Sequence, residues 1–527
     1  MSASTERKNR VAAREAGTDK KTIARQEAEK KAAKSRRQWT IGSILVAILL
    51  IAIILLNSGF LYKHTTAAKV GDRSYSPAEM NYYYANQYSS FVNQYGSYAS
   101  LFGLDTSAGI TSLGDQDCPM LEEGKTWRDY FMQSALSNME QITALKNYAT
   151  ANGISLDADE IAEIDDELSA LSESAKLYGY SGADNFLAAQ YGTGVNTKLV
   201  RGLSIDSTLA SKALQQYQDS LEYSDEQLEE YYASRKDSWD VFSYVYYYVA
   251  AEKLPVEDSE NTVEGETVQL AVTEQSLLEA RMSAEAIEMA YKDGADIEDL
   301  TERFNAAVEA EFEGDAATSR SRVAGSSLGD MSEWLLDSAR SEGDLTVLED
   351  SQGEGYYVVL FLSRDDNHYH TVTVRHILIK AEASEDGSYS DEAMQAALDK
   401  INEIKAEFES GDKSEDSFAA LANEYSQDEG TNTKGGLYEN ITRGKTVQEF
   451  NDFCFGPHQT GDLGVVYGNN GTYAGYHLIY FVSENDLYSN QLAHDSMLDT
   501  DMDNFLTEQL AGYEPELRYW SKLVGKG

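Results

Sequence analysis

Two short apolar stretches read as β-strands with a histidine on each. The first is Val374-Arg375-His376-Ile377-Leu378-Ile379-Lys380, and the second is Gly475-Tyr476-His477-Leu478-Ile479-Tyr480-Phe481-Val482. Residues 244–252 and 355–363 carry a similar pattern without histidines. Elsewhere the period is helical. Ser76 is placed to cap a helix that opens with Pro77. After Trp127, the residues Phe131, Ala135, Leu136, Met139, Ile142, Leu145 and Ala149 fall on one helix face. A third helix is predicted from Leu156, with Asp157 and Asp159 in its first turn, and Tyr191-Gly192-Thr193-Gly194 interrupts the pattern before a fourth. Beyond residue 484, Leu487, Leu492, Met497, Phe505, Leu506 and Leu510 predict helices, with one more short helix over 513–523.

One run has no period at all. Residues 41–56 are apolar apart from Gly42 and Ser43, and with Trp39 and residues 59–62 they are long enough to cross a bilayer. Residues 1–38 hold 12 Lys/Arg against 5 Asp/Glu, a net +7 within a chain whose total is −46. The cluster Lys30, Lys31, Lys34, Arg36 and Arg37 precedes the apolar run directly. This arrangement predicts an uncleaved anchor at 39–62, a basic cytoplasmic tail at 1–38, and everything after residue 62 outside the cell membrane. The acidic remainder argues against nucleic-acid binding.

A length of 527 residues predicts several domains, and 42% hydrophobic residues with 11% aromatics predict folded ones. Two cysteines, Cys118 and Cys454, make no disulfide framework and read as small buried residues. His368 and His370 form an H-x-H pair, but no third ligand is spaced for a metal, so no metal or cofactor is expected.

Between the histidine strands lie Phe418-Ala419-Ala420-Leu421-Ala422, Tyr425-Ser426-Gln427-Asp428, Gly435-Gly436-Leu437 and Gly461-Asp462-Leu463. This ordered set resembles the catalytic domain of the parvulin (PpiC-type) peptidyl-prolyl cis/trans isomerases. The resemblance implies that His376 and His477 form a paired imidazole centre beneath the X-Pro amide, with Asp428 beside it. Leu437 and Phe450 would line the proline pocket, with Thr446 and Val447 on its wall. Three positions depart from the family pattern. Thr446 stands where a methionine is usual, Ala474 where a small hydroxyl residue is usual (with Thr472 close by), and Gly435-Gly436-Leu437-Tyr438-Glu439-Asn440 where the usual turn is Gly-Gly-Asp-Leu-Gly.

Residues 239–366 parallel 370–485 in order and spacing. Residues 244–252 match 374–382, Ile297-Glu298-Asp299-Leu300 match Phe418-Ala419-Ala420-Leu421, 343–347 match 461–465, and 355–363 match 475–483. This predicts a tandem duplication. The first copy has Tyr246 and Tyr357 in place of the histidines and carries an acidic insert near 255–270.

The predicted architecture is α+β. It comprises a tail (1–38), a transmembrane helix (39–62), a helical chaperone-like module (63–238), a degenerate parvulin-like domain (239–366), a parvulin domain (367–485) and a helical tail (486–527). Each parvulin unit is expected to be a small, mainly antiparallel sheet with helices around it. The resemblance implies an isomerase and folding chaperone whose partners are unfolded or nascent exported polypeptides containing proline. The alternative reading is a holdase that grips such chains without catalysis.

Overall fold

The computed structural model describes residues 3–16, 60–255 and 270–526. Most of the anchor expected at 39–62 and the acidic insert lie outside the described residues. Among those described, no helix is long and apolar enough to cross a membrane. The basic leader includes a helix, Ala3–Glu15, built from Ala, Glu, Arg and Lys, which are strong helix formers.

The described residues fall into two compact units, Met1–Glu222 with Leu498–Gly527, and Tyr223–Met497. The first unit is mainly helical. Ser76 caps the helix Pro77–Tyr95 through a reciprocal box with Glu79, Thr126 and Asp129 do the same for Trp127–Ala151, and Asp157 and Glu160 for Ala158–Leu177. The helices Ala183–Tyr191 and Thr197–Ser220 follow. Their apolar faces enclose Trp127, Phe131, Met80, Met139 and Phe186. Strand β1 (Ala68–Val70) pairs antiparallel with β2 (Arg73–Tyr75) and also with Pro515–Leu517. The C-terminal tail therefore carries the helix expected over its first part and departs from expectation only over 513–523, where a short helix was expected. It is the helix Tyr488–Leu510, the strand Pro515–Leu517 and a 3-10 turn, Tyr519–Leu523. The open edge of β1 captures 515–517, and Pro515, which lacks an N–H, stands at the end of the strand.

The second unit holds two four-stranded sheets. In the first, β3 (Val241–Ala250), β6 (Thr318–Ala324), β7 (Leu345–Glu349) and β8 (Gly355–Asp365) run in the order β6-β3-β8-β7. A separate two-stranded ladder, β4 (Lys253–Pro255) with β5 (Leu270–Val272), flanks the undescribed insert. In the second sheet, β9 (His370–Lys380), β10 (Leu437–Ile441), β11 (Leu463–Asn469) and β12 (Ala474–Leu487) run in the order β10-β9-β12-β11. Every pairing in both is antiparallel.

Alternation along β9 gives the second sheet two different faces. Ile377 and Ile379 pack under the helices Asp391–Ser410 and Glu415–Tyr425, against Ile401, Ile404, Phe408 and Phe418. Burying such side chains stabilises the fold by about 1.5–3 kcal/mol each. Val372 and Val374 pack on the opposite face with Ile441, Phe450, Cys454, Ile479 and Phe481, two of which, Phe450 and Cys454, belong to the short helix Gln448–Cys454. His376 lies on this second face.

Candidate active site

His376 pairs with Ile479 and His477 with Leu378, so the histidines occupy a register diagonal of β9 and β12 on one face. Their Nδ1 atoms are 3.2 Å apart, and both residues are buried. Phe450 meets both rings edge-on, at centroid distances of 5.4 and 5.2 Å. On the far side of His376, its Nε2 is 3.3 Å from Asp428 Oδ2 and 3.1 Å from Thr431 Oγ1. The Thr431 hydroxyl donates to the same carboxylate at 2.5 Å. On the far side of His477, its Nε2 is 2.9 Å from the Tyr473 hydroxyl.

One arrangement of protons satisfies all of these contacts with neutral imidazoles. The Asp428 carboxylate only accepts, so His376 carries its proton on Nε2 and leaves Nδ1 as an acceptor. His477 then donates from Nδ1 and accepts the Tyr473 hydroxyl at Nε2. Burial, with His376 alongside, pushes the His477 pKa down to about 3, which keeps this ring neutral. Asp428 is held below the usual carboxylate range, chiefly by the hydrogen bond from His376. Burial raises the Tyr473 pKa, so its hydroxyl keeps the proton it donates.

The loop bearing Asp428 is stitched to the edge of β9. Gln427 N–H donates to Leu378 O at 2.9 Å, Leu378 N–H to Ser426 Oγ at 3.2 Å, and Lys380 N–H to Gln427 Oε1 at 2.7 Å. His376 N–H donates to Gly436 O at 2.9 Å. Gly436 sits at φ +68°, and a Cβ there would come within 2.2 Å of His376 O, so only glycine allows this approach.

Of the residues singled out from sequence, His376, His477, Asp428 and Phe450 come together. Val447 packs in the same cluster as Phe450, one residue before its helix. Thr446 Oγ1 is buried, with no hydrogen-bond partner among the described residues. Leu437 behaves differently: it pairs with Arg375, whose side chain lies on the face away from His376. Its neighbour Tyr438 pairs with Val374 and takes the histidine face instead. A register shift between Tyr438 and Ile441 then returns Ile441 to that face. Thr472 donates to Asn470 rather than to His477, and Tyr473 supplies the hydroxyl that Ala474 lacks. Thr431, Tyr473 and Tyr438 are the site residues that the sequence reading missed.

The first sheet carries the corresponding diagonal. Tyr246 pairs with Val359 and Tyr357 with Tyr248, and the rings of Tyr246 and Tyr357 lie 5.9 Å apart. Phe242, Tyr244, Leu328, Met331, Val359 and Phe361 fill that face. It offers phenols and hydrocarbon but no imidazole. Among the described residues, no group of three or more His, Cys, Asp or Glu side chains could hold a metal ion. What the histidine face offers is a buried, directed polar centre beside an apolar wall.

Residues 356–484 match a family model described as the PPIC-type PPIASE domain. This match supports a peptidyl-prolyl isomerase (PPIase). A search of curated proteins finds no match. Among solved structures, similarity extends to peptidylprolyl isomerase (PrsA) from Bacillus cereus, at 24% identity over 28% of this chain and 49% of that one, with a TM-score of 0.18. Peptidylprolyl isomerase (PrsA) from Bacillus anthracis is 21% identical over 28% of this chain and 60% of its own, with a TM-score of 0.17. Foldase protein PrsA from Streptococcus pneumoniae is 11% identical over 76% and 95% respectively, with a TM-score of 0.24. The chain spans about half the length of the first of these relatives.

Proposed function

We propose that this protein is a foldase acting outside the cytoplasmic membrane. In this reading, residues 367–485 catalyse cis/trans isomerisation of X-Pro bonds in exported polypeptides, and residues 239–366 are a duplicated copy without that activity. The observation that carries the reading is the directed chain from the Tyr473 hydroxyl through His477 and His376 to Asp428, set against the ring of Phe450.

The reaction makes and breaks no covalent bond. Rotation about the amide meets a barrier of about 18–20 kcal/mol, because planarity carries the C–N resonance. A catalyst must bind the twisted amide better than either planar isomer. Twisting localises the nitrogen lone pair and removes charge from the carbonyl oxygen, so an apolar, water-poor site favours the transition state. Phe450, Val447 and Ile441 supply such a wall for the proline ring. The fixed imidazoles present oriented dipoles that need no reorganisation as the amide turns.

The basic leader and the apolar run at 39–62 support a single anchor with the amino terminus in the cytoplasm. Protease added to intact cells is expected to degrade the region after residue 62 and spare 1–38. A mature chain found free in the medium, starting near Lys69, would contradict the anchor. The catalytic reading is tested by exchange NMR of a proline tetrapeptide with the full-length protein. Cross-peaks between cis and trans resonances are expected, and binding without them would leave a holdase.

A further inference from the structure

We infer that the first repeat shapes the proline pocket of the second, and that Arg322 is the positioning residue through which it does so. This rests on the isomerase reading above. Arg322 belongs to β6 of the first sheet, at φ +52°. Its guanidinium forks across the connection between the two sheets. Nη1 donates to Asp365 Oδ2 at 2.6 Å, and Nη2 to Asn367 Oδ1 at 2.9 Å and to the Tyr369 hydroxyl at 3.4 Å.

Tyr369 passes the constraint on. Its hydroxyl accepts the backbone N–H of Arg443 at 3.1 Å, and the Arg443 guanidinium lies 4.4 Å from the centre of its ring. Arg443 Nη1 is also 3.7 Å from Asp365, so one carboxylate faces cations from both repeats. Next to it, Gly444 lies against the Arg322 side chain, where an added Cβ would fall 2.8 Å from Arg322 Cδ. Two and three residues on come Thr446 and Val447, then the helix that carries Phe450. The stretch 442–447 is thus held at its start by the first repeat and forms the pocket wall at its end.

The connection itself is fixed. Asn367 is buried at φ +55°, and its amide donates to the Tyr232 hydroxyl at 3.1 Å and to Trp239 O at 2.9 Å. Among the described residues, the non-glycine residues at positive φ are Arg322, Asn367, Lys413 and Asn440. Two of these four are the partners in this clasp, and Asn440 lies at the bulge leading into 442–447. Such backbone persists only where its surroundings over-determine it.

A simple domain-to-domain brace would affect stability alone. Positioning predicts a change in the pocket as well. The test compares full-length wild type with Arg322→Ala, Arg322→Lys and Tyr369→Phe, by hydrogen exchange over 442–447 and by peptide titration and exchange NMR. The amides of 442–447 are expected to exchange faster in Arg322→Ala and Tyr369→Phe. Peptide affinity should weaken by about 2- to 30-fold, the span of couplings carried through packed networks, with the rate at saturation retained. Lysine can pair with Asp365 but cannot fork, so Arg322→Lys should fall between wild type and alanine. Unchanged exchange over 442–447, or unchanged affinity, would overturn the inference. Should Arg322→Ala fail to fold, Arg322→Lys decides, because it keeps a cation beside Asp365 but cannot reach Asn367 and Tyr369 with the same fork. If wild type binds the peptide without isomerising it, the isomerase reading falls, while exchange and affinity still decide the role of Arg322.

Discussion

Tyr246 and Tyr357 lie 5.9 Å apart, ring centre to ring centre, on the register diagonal that in the second sheet carries His376 and His477. The two sheets share a strand order and differ at the positions where an amide would be met. Replacing both tyrosines by phenylalanine should leave peptide isomerisation by the full-length protein unchanged. Exchange NMR of the double variant checks this, and a loss of turnover would bring the first repeat into the chemistry.

The pH dependence of stability has a definite sign. His477 titrates near 3 in the folded protein and near 6.5 when unfolded, so between these values the unfolded chain binds the extra proton. Stability is therefore unaffected by this group above the unfolded value and falls as pH drops below it, by up to about 1.4 kcal/mol per pH unit. Asp428, whose folded pKa is depressed, stabilises above its unfolded value of 3.8, and that contribution is lost on further acidification. Urea unfolding from pH 8 to pH 4 should show the decline, and His477→Gln should flatten it.

Tyr473 holds the tautomer of His477. Removing its hydroxyl in Tyr473→Phe strips a buried ring nitrogen of its donor, at a cost of about 1–3 kcal/mol. The nitrogen chemical shifts of His477 should then move toward a mixture of tautomers, and turnover should drop more than affinity. Gly468→Ala approaches the same atom from the other side, since its Cβ would fall 2.6 Å from His477 Nε2. The two variants should impair turnover in the same way.

Cys118 and Cys454 are both buried thiols, and burial pushes the Cys454 pKa up to about 12. Native protein should react with neither maleimide nor a disulfide reagent on the timescale of the assay, and reductant should not change activity. Rapid labelling of Cys454 before unfolding would show that the helix Gln448–Cys454 opens.

The histidine strands were legible because alternation fixes which residues share a face, and β9 and β12 pair in unbroken register from Gly475–Lys380 to Phe481–Val374, the stretch that carries both histidines. Tyr438 was not, because Gly436 turns the chain at positive φ and the choice between Leu437 and Tyr438 depends on the register entered from that turn. Thr431 and Tyr473 act from turns, where no period points a side chain anywhere. Similarly, the match set for Phe418 at 297–300 falls at a helix start, with Asp299 as the cap, while the buried ring of that helix is Phe304. The strand Pro515–Leu517 had no local signal, since its partner is Ala68–Val70 at the opposite end of the sequence.

The central claim is that the paired imidazoles and the apolar wall act together on a twisted amide. It is tested most directly by isomerisation of a proline tetrapeptide, measured by exchange NMR with full-length wild type, His477→Ala and Phe450→Ala, each shown to be folded by circular dichroism. His477→Ala should lower turnover with little change in peptide affinity, because the imidazole favours the twisted amide over the planar one. Phe450→Ala should lose affinity as well as rate, by roughly 10- to 150-fold if the full apolar contribution of about 1.5–3 kcal/mol is removed. Folded variants that both retain wild-type turnover would contradict the histidine-centred site.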